Sequence, residues 1–158
     1  MKKTPKTILL LLLLLMLAGC GSAKPSELEV YREQMEHFYE EVATADRTID
    51  AIDPDSEFAA TQLLRALDRL DEACSEMADY NVPSAFSAMG DLPQETANYM
   101  SKAVDAYHDA YDGEFDDASE SRAGQYYERA NSCIRRMLSI LHGDENKDES
   151  NGDSENSD

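Results

Sequence analysis

Few residues in this chain can do chemistry. There are three cysteines, three histidines and 33 acids. Cys74 falls on an apolar stripe at helical spacing, and Cys133 flanks another beside Ala130 and Met137. In a bundle the helices carrying them run parallel, and the two heights differ by roughly 5 Å at the helical rise. An oxidising compartment then permits a disulfide between them. Those helices are diagonal in a four-helix bundle, so two free thiols buried as small apolar groups are the other reading. No Cys-x-x-Cys occurs, which argues against a redox enzyme. The histidines are His37, His108 and His142. Gln34-x-x-His37 and Asp105-x-x-His108 fall short of the Glu-x-x-His pairs that a di-iron bundle requires. His142 suits a cation at a helix C-terminus. The acidic stretch 112–117 fails the EF-hand pattern, because Asp117 and Ala123 stand at the sixth and twelfth positions. At most it suggests weak, diffuse Ca²⁺ binding. No Gly-x-Ser-x-Gly and no Gly-rich phosphate loop is present. The expectation is therefore no catalytic residue, no metal site, no cofactor and no enzyme.

The third cysteine stands in a different context. Lys2, Lys3 and Lys6 precede an unbroken apolar run of eleven residues, Ile8 to Ala18. A membrane span needs roughly 20 apolar residues, so this run has the length of a signal-peptide core instead. It ends in Leu17-Ala18-Gly19-Cys20, followed by Gly21 and Ser22. This segment resembles the signal and lipobox of bacterial lipoproteins. The resemblance implies diacylglycerylation of Cys20, cleavage before it, and acylation of the new amino group in many bacteria. Two or more acyl chains anchor a protein stably where one does not. Gly21 is not the Asp that resembles an inner-membrane retention signal. The expected location is the extracytoplasmic face of the cell membrane, or the outer membrane of a Gram-negative cell.

These residues need elements to hold them. Residues 1–19 read as the leader and 20–25 as a lipidated tether. Residues 26–142 read as a helical bundle, and 143–158 as a disordered tail with seven acids, one Lys and no apolar residue. Ser26-Glu27-Leu28-Glu29 has the form of a capping box. Leu28, Tyr31, Met35, Phe38, Val42, Ala45, Ile49 and Ile52 then alternate spacings of three and four. Asp53-Pro54 reads as N-cap and first residue of the second helix, which buries Ala60, Leu63, Leu67, Leu70, Cys74 and Met77. Asn81-Val82-Pro83 ends it. A third stripe runs Ala97, Met100, Val104, Tyr107, Tyr111. Asp117-x-x-Glu120 resembles another capped start, before Ala123, Tyr127, Ala130, Ile134, Met137 and Leu141, with Gly143 as the C-terminal cap. No run alternates with period two. The predicted fold is an all-α, up-down antiparallel four-helix bundle. A three-helix bundle with residues 84–92 as a cap is the competitor, and an intermolecular coiled coil is a weaker one.

Phe86, Met89 and Leu92 are expected to plug one end of the bundle, or else to form a ligand-contact lid. Tyr39, Tyr80, Tyr99 and Tyr126 lie off the stripes and can make a carbohydrate- or protein-binding face. The length of 158 residues and 42% apolar content allow one domain with a real core. The formal charge of −19 excludes the usual nucleic-acid binder. Losing Lys2, Lys3 and Lys6 with the leader takes it from −19 to −22.

The pattern Val82-Pro83-x-x-Phe86, Tyr99-Met100-x-x-Ala103-Val104-x-x-Tyr107-x-x-Ala110, Gly113-Glu114-Phe115 and Ala123 resembles small helical surface lipoproteins of Gram-positive bacteria. That likeness implies no activity and no site. The expected function is a non-enzymatic interaction or structural role in the cell envelope. The expected partners are membrane lipid, through acylated Cys20, and an envelope protein or glycan. The alternative is a solute- or cation-binding accessory to a transporter or sensor. A concave pocket between helices favours the alternative, and a solid core with an exposed apolar patch favours the first reading.

Overall fold

The computed structural model describes residues 24–143. The leader, Cys20, most of its tether and the acidic tail from residue 144 lie outside them. Four long helices account for most of the described chain: α1 (Glu27–Asp50), α2 (Ala59–Ala78), α3 (Leu92–Tyr111) and α4 (Asp117–His142). A 3-10 helix, Ser84–Met89, joins α2 to α3. Among the described residues there is no strand, and no helix is long and apolar enough to cross a membrane.

The start of α1 is set locally. Ser26 Oγ accepts the Glu29 N–H at 3.2 Å, and Glu29 Oε2 takes the Ser26 N–H at 2.7 Å. This is the reciprocal box expected from the sequence, and it satisfies two groups at the helix start. The stripe that follows faces inward: Tyr31, Met35, Phe38 and Ala45 are buried, and Leu28, Val42 and Ile49 are half-buried against them. At the other end of the chain Gly143 has φ +73°, the left-handed conformation that closes α4.

The start of α2 differs from expectation. The helix begins at Ala59 behind Phe58, not at Pro54. The Asp53 carboxylate accepts the Asp55 N–H at 3.0 Å, and Ser56 Oγ accepts the Phe58 N–H at 3.2 Å. Side-chain bonds of this kind stabilise successive turns in place of a helix. The cap of α4 also moves by one residue. Asp116, rather than Asp117, accepts from the Ala118 N–H at 3.0 Å and from Ser119 Oγ at 2.7 Å.

Cross-helix contacts establish the up-down order. Tyr39 Oη donates to the Ile134 carbonyl and Tyr127 Oη to Asp46, each at 3.4 Å. Going up α1 therefore means going back along α4. The same reversal relates α2 to α3: Gln94 donates to the Ala78 carbonyl at 2.8 Å, while His108, farther along α3, meets Asp68. The N-terminus of α1 and the C-terminus of α4 thus share one end of the bundle.

The seams between helices are unequal. α3 and α4 share the most extensive close backbone seam of any helix pair among the described residues. Ala103, Ala106 and Ala110 are buried on α3, and Ala123 and Ala130 on α4. Small side chains let two helix axes come together. The seam between α1 and α4 is wide at the backbone, and Met35 and Tyr39 stand in it. Five methionines, Met35, Met77, Met89, Met100 and Met137, fill the irregular space between these seams. The bundle end at the 3-10 helix is closed by Phe86, Met89 and Leu92, all buried. They act as the plug. Tyr31 reaches them, donating to Met89 Sδ at 2.9 Å and lying 5.6 Å from the Phe86 ring.

Candidate functional site

The polar side chains with the tightest cross-helix geometry lie between α2 and α3. His108 Nδ1 is 2.7 Å from Asp112 Oδ2, and its Nε2 is 2.9 Å from Asp68 Oδ1. With a carboxylate at each ring nitrogen, the imidazolium can donate both ways. The hydrogen bonds to Asp68 and Asp112 raise the His108 pKa above its ordinary value, against a smaller opposing effect of burial. One turn inward from Asp68, the Asp71 Oδ1 is buried with no hydrogen-bond partner. Burial raises the pKa of Asp71, and the negative charges of Asp105 and Asp68 raise it further. Among the described residues no group of three His, Cys, Asp or Glu is placed to hold a metal ion. The His108 cluster is a clamp between helices. His37 lies outside it, in an exposed 3.7 Å contact with Glu41 on its own helix.

Cys74 and Cys133 stand as free thiols. Cys74 is fully buried on α2, and burial together with the charge of Asp71 pushes its pKa up to about 12. Cys133 is half-buried and faces α3. Its pKa is raised by burial and by Glu95, with a lowering contribution from a hydrogen bond with Thr96. The bridge that the sequence left open is not formed here: one sulfur looks into the core beside Asp71, the other towards α3. Cys20 lies outside the described residues.

The tyrosines expected to share one face do not. Lys102 stands 6.0 Å over both the Tyr99 and Tyr126 rings, and Arg129 is 5.7 Å over Tyr99. This pair is already engaged by cations of its own chain. Tyr39 instead turns into the α1–α4 seam, where burial raises its pKa. Tyr80 sits at the base of the bundle beside Pro25 and Val30.

Two surface concavities follow from the seams. The larger, about 740 Å³, runs between α1 and α4, with Met35, Val42, Leu138 and Leu141 along it, Arg32, Glu36, Glu40 and Asp46 on the α1 side and His142 on the α4 side. The other, about 270 Å³, lies between α1 and α2 and is walled by His37, Glu41, Thr44 and Arg69. Large apolar side chains are exposed at four described positions: Val30, Phe58, Phe115 and Leu138. Phe58 and Phe115 were not singled out as functional candidates from sequence, although an isolated Phe in an otherwise acidic loop is the signal that could have found them.

Comparison with known proteins finds no matching family model, no matching curated protein and no matching solved structure.

Proposed function

We propose that the protein is a lipid-anchored extracytoplasmic lipoprotein with a non-enzymatic role: it holds a helical interaction module at a membrane surface. The observation that carries this reading is the contrast between interior and surface. The core is filled by Tyr31, Phe38, Leu67, Leu70 and the five methionines, whereas Phe58 and Phe115 are displayed to solvent. A binding module that works from its surface needs that arrangement. The reading also rests on Leu17-Ala18-Gly19-Cys20 as the anchor signal. Its test is fractionation of the expressed chain with mass spectrometry of residue 20. The native chain is expected in the membrane fraction with an acylated Cys20, and Cys20→Ala in the soluble fraction. A Cys20→Ala chain that stays membrane-bound would refute the anchor.

The groove between α1 and α4 supports a second reading, a solute- or cation-binding accessory. Its apolar floor, with a rim that holds Glu36, Glu40 and Asp46 alongside Arg32 and His142, suits an amphipathic solute. Titration calorimetry with Ca²⁺ and with a small cationic amphiphile separates the two readings. Stoichiometric heat that disappears in Val42→Trp would favour the second.

A further inference from the structure

The end of the bundle opposite Ser26 and Gly143 is built by two loops, residues 51–58 and 112–116. Phe58 and Phe115 sit one on each, and they are the two most exposed large apolar side chains among the described residues, at 58% and 57%. Neither position is loosely held. The Phe58 N–H is bound by Ser56 Oγ, and its carbonyl accepts the Gln62 N–H at 2.9 Å. The Phe115 ring lies 5.4 Å from that of Tyr111, and the next residue, Asp116, donates its N–H to the Ala110 carbonyl at 3.1 Å. Tyr111 also walls a recess of about 360 Å³ with Ile52 and Pro54 from the other loop and Ala59 at the start of α2. The apolar surface therefore continues from Phe115 through Tyr111 into the loop that carries Phe58.

The loops around this surface are acidic, with Asp112 already held by the His108 ring. Residues 50–58 and 112–117 hold eight acids and no Lys, Arg or His. All eight are exposed. We propose that this tip is a docking surface for a segment of a partner protein in which Lys or Arg side chains flank apolar ones. The apolar groups cover Phe58, Phe115 and Tyr111, and the cations meet the surrounding carboxylates and the aromatic faces. The chain already uses that chemistry internally, with Arg32 5.7 Å over the Phe86 ring. A second copy fits poorly, since tip against tip opposes eight acids with eight more. An anionic lipid or polymer is repelled for the same reason. The geometry suits presentation: α1 has 24 residues, so the tip stands about 36 Å from the end at which the chain enters the bundle.

This proposal rests on the reading of an anchored interaction module, and its test keeps the two apart. The chain contains no Trp, so a synthetic Leu/Lys amphipathic peptide with a single Trp reports binding by its own fluorescence. The full chain is titrated in phosphatidylcholine vesicles, with protein-free vesicles subtracted. Saturable, salt-sensitive binding is expected. It should weaken about tenfold in Phe58→Ser/Phe115→Ser and fall similarly in Asp55→Lys/Glu57→Lys. Charge reversal on the side of the bundle, Glu72→Lys/Glu76→Lys, should leave it within about twofold. A Leu/Glu peptide should not bind. Circular dichroism establishes that each variant is folded. Binding insensitive to the two Phe residues, or equally sensitive to charge reversal at Glu72 and Glu76, would overturn the proposal. A dimer in sedimentation that vanishes with Phe58 and Phe115 would overturn it in favour of a second copy. Vesicle flotation of the same samples reports the anchor separately. A chain that does not float but binds through the two Phe residues loses the anchor and keeps the tip.

Discussion

At the scale of single residues, the clamp at His108 has a definite pH signature. Its pKa is raised in the folded chain by hydrogen bonds to Asp68 and Asp112. The clamp's stabilisation is fully present below the unfolded value of 6.5 and is lost as pH rises through the higher folded value. Asp71 acts in the same direction, because its raised pKa means that ionising it costs stability as pH increases. Chemical denaturation is expected to show stability falling as pH rises above the ordinary His value of 6.5, and His108→Gln should flatten that slope. A second residue-scale outcome concerns the thiols. Half-buried Cys133 should react with an alkylating reagent in the native protein, and Cys74 only on unfolding. Mass spectrometry without reductant checks this, and a native disulfide would block both sites. The Asp105-x-x-His108 pair was visible in the sequence as a near miss for a metal motif. Its working partner, Asp68, is forty residues away in the chain, and no local spacing points to it.

At the scale of elements, legibility followed side-chain size. Large apolar residues at spacings of three and four made α1 readable along its whole length, and Tyr31, Met35 and Phe38 are buried as expected. Alanine carries no such signal. On α3 Met100 and Val104 of the expected stripe are buried but Ala97, Tyr107 and Tyr111 are only half-buried, while Ala103, Ala106 and Ala110, outside that stripe, are buried. Those alanines are what bring α3 and α4 together. Ala130→Leu should cost about 1–3 kcal/mol by overpacking this seam, read as a lower denaturation midpoint. The same change at half-buried Ala97 should cost less. The start of α2 was misread for another reason. Asp53-Pro54 has the composition of a helix start, yet Asp53 bonds Asp55 within a turn, and composition does not distinguish the two uses of an Asp. The later start leaves Phe58 just ahead of the helix and exposed.

At the scale of the whole molecule, charge dominates. The chain carries −19, and under the proposed processing before Cys20 the loss of Lys2, Lys3 and Lys6 would make it −22. An ion pair between α3 and α4, Arg122 with Asp109 at 3.8 Å, is exposed and weak. Self-repulsion therefore outweighs the pairing that salt would screen. Raising NaCl from low to physiological strength is expected to stabilise the bundle, lifting the melting temperature by about 3–5 °C for each kcal/mol gained. A melting temperature that falls with salt would show that the few pairs matter more than the net charge. The unequal seams have a further consequence, for the order in which the chain assembles. α3 and α4 are neighbours in sequence joined by a short loop, so their alanine seam closes with little loss of chain entropy. α1 is different. Its inward face needs Phe86 and Met89, some 55 residues later, and Ile134, 95 residues after Tyr39. In a chain that emerges N-terminus first, α1 appears before most of what covers it. α1 can pack on α2 as soon as that helix emerges, but the inward partners of Tyr31 and Tyr39 arrive only with the 3-10 helix and α4, so the first of the described helices is covered in two stages.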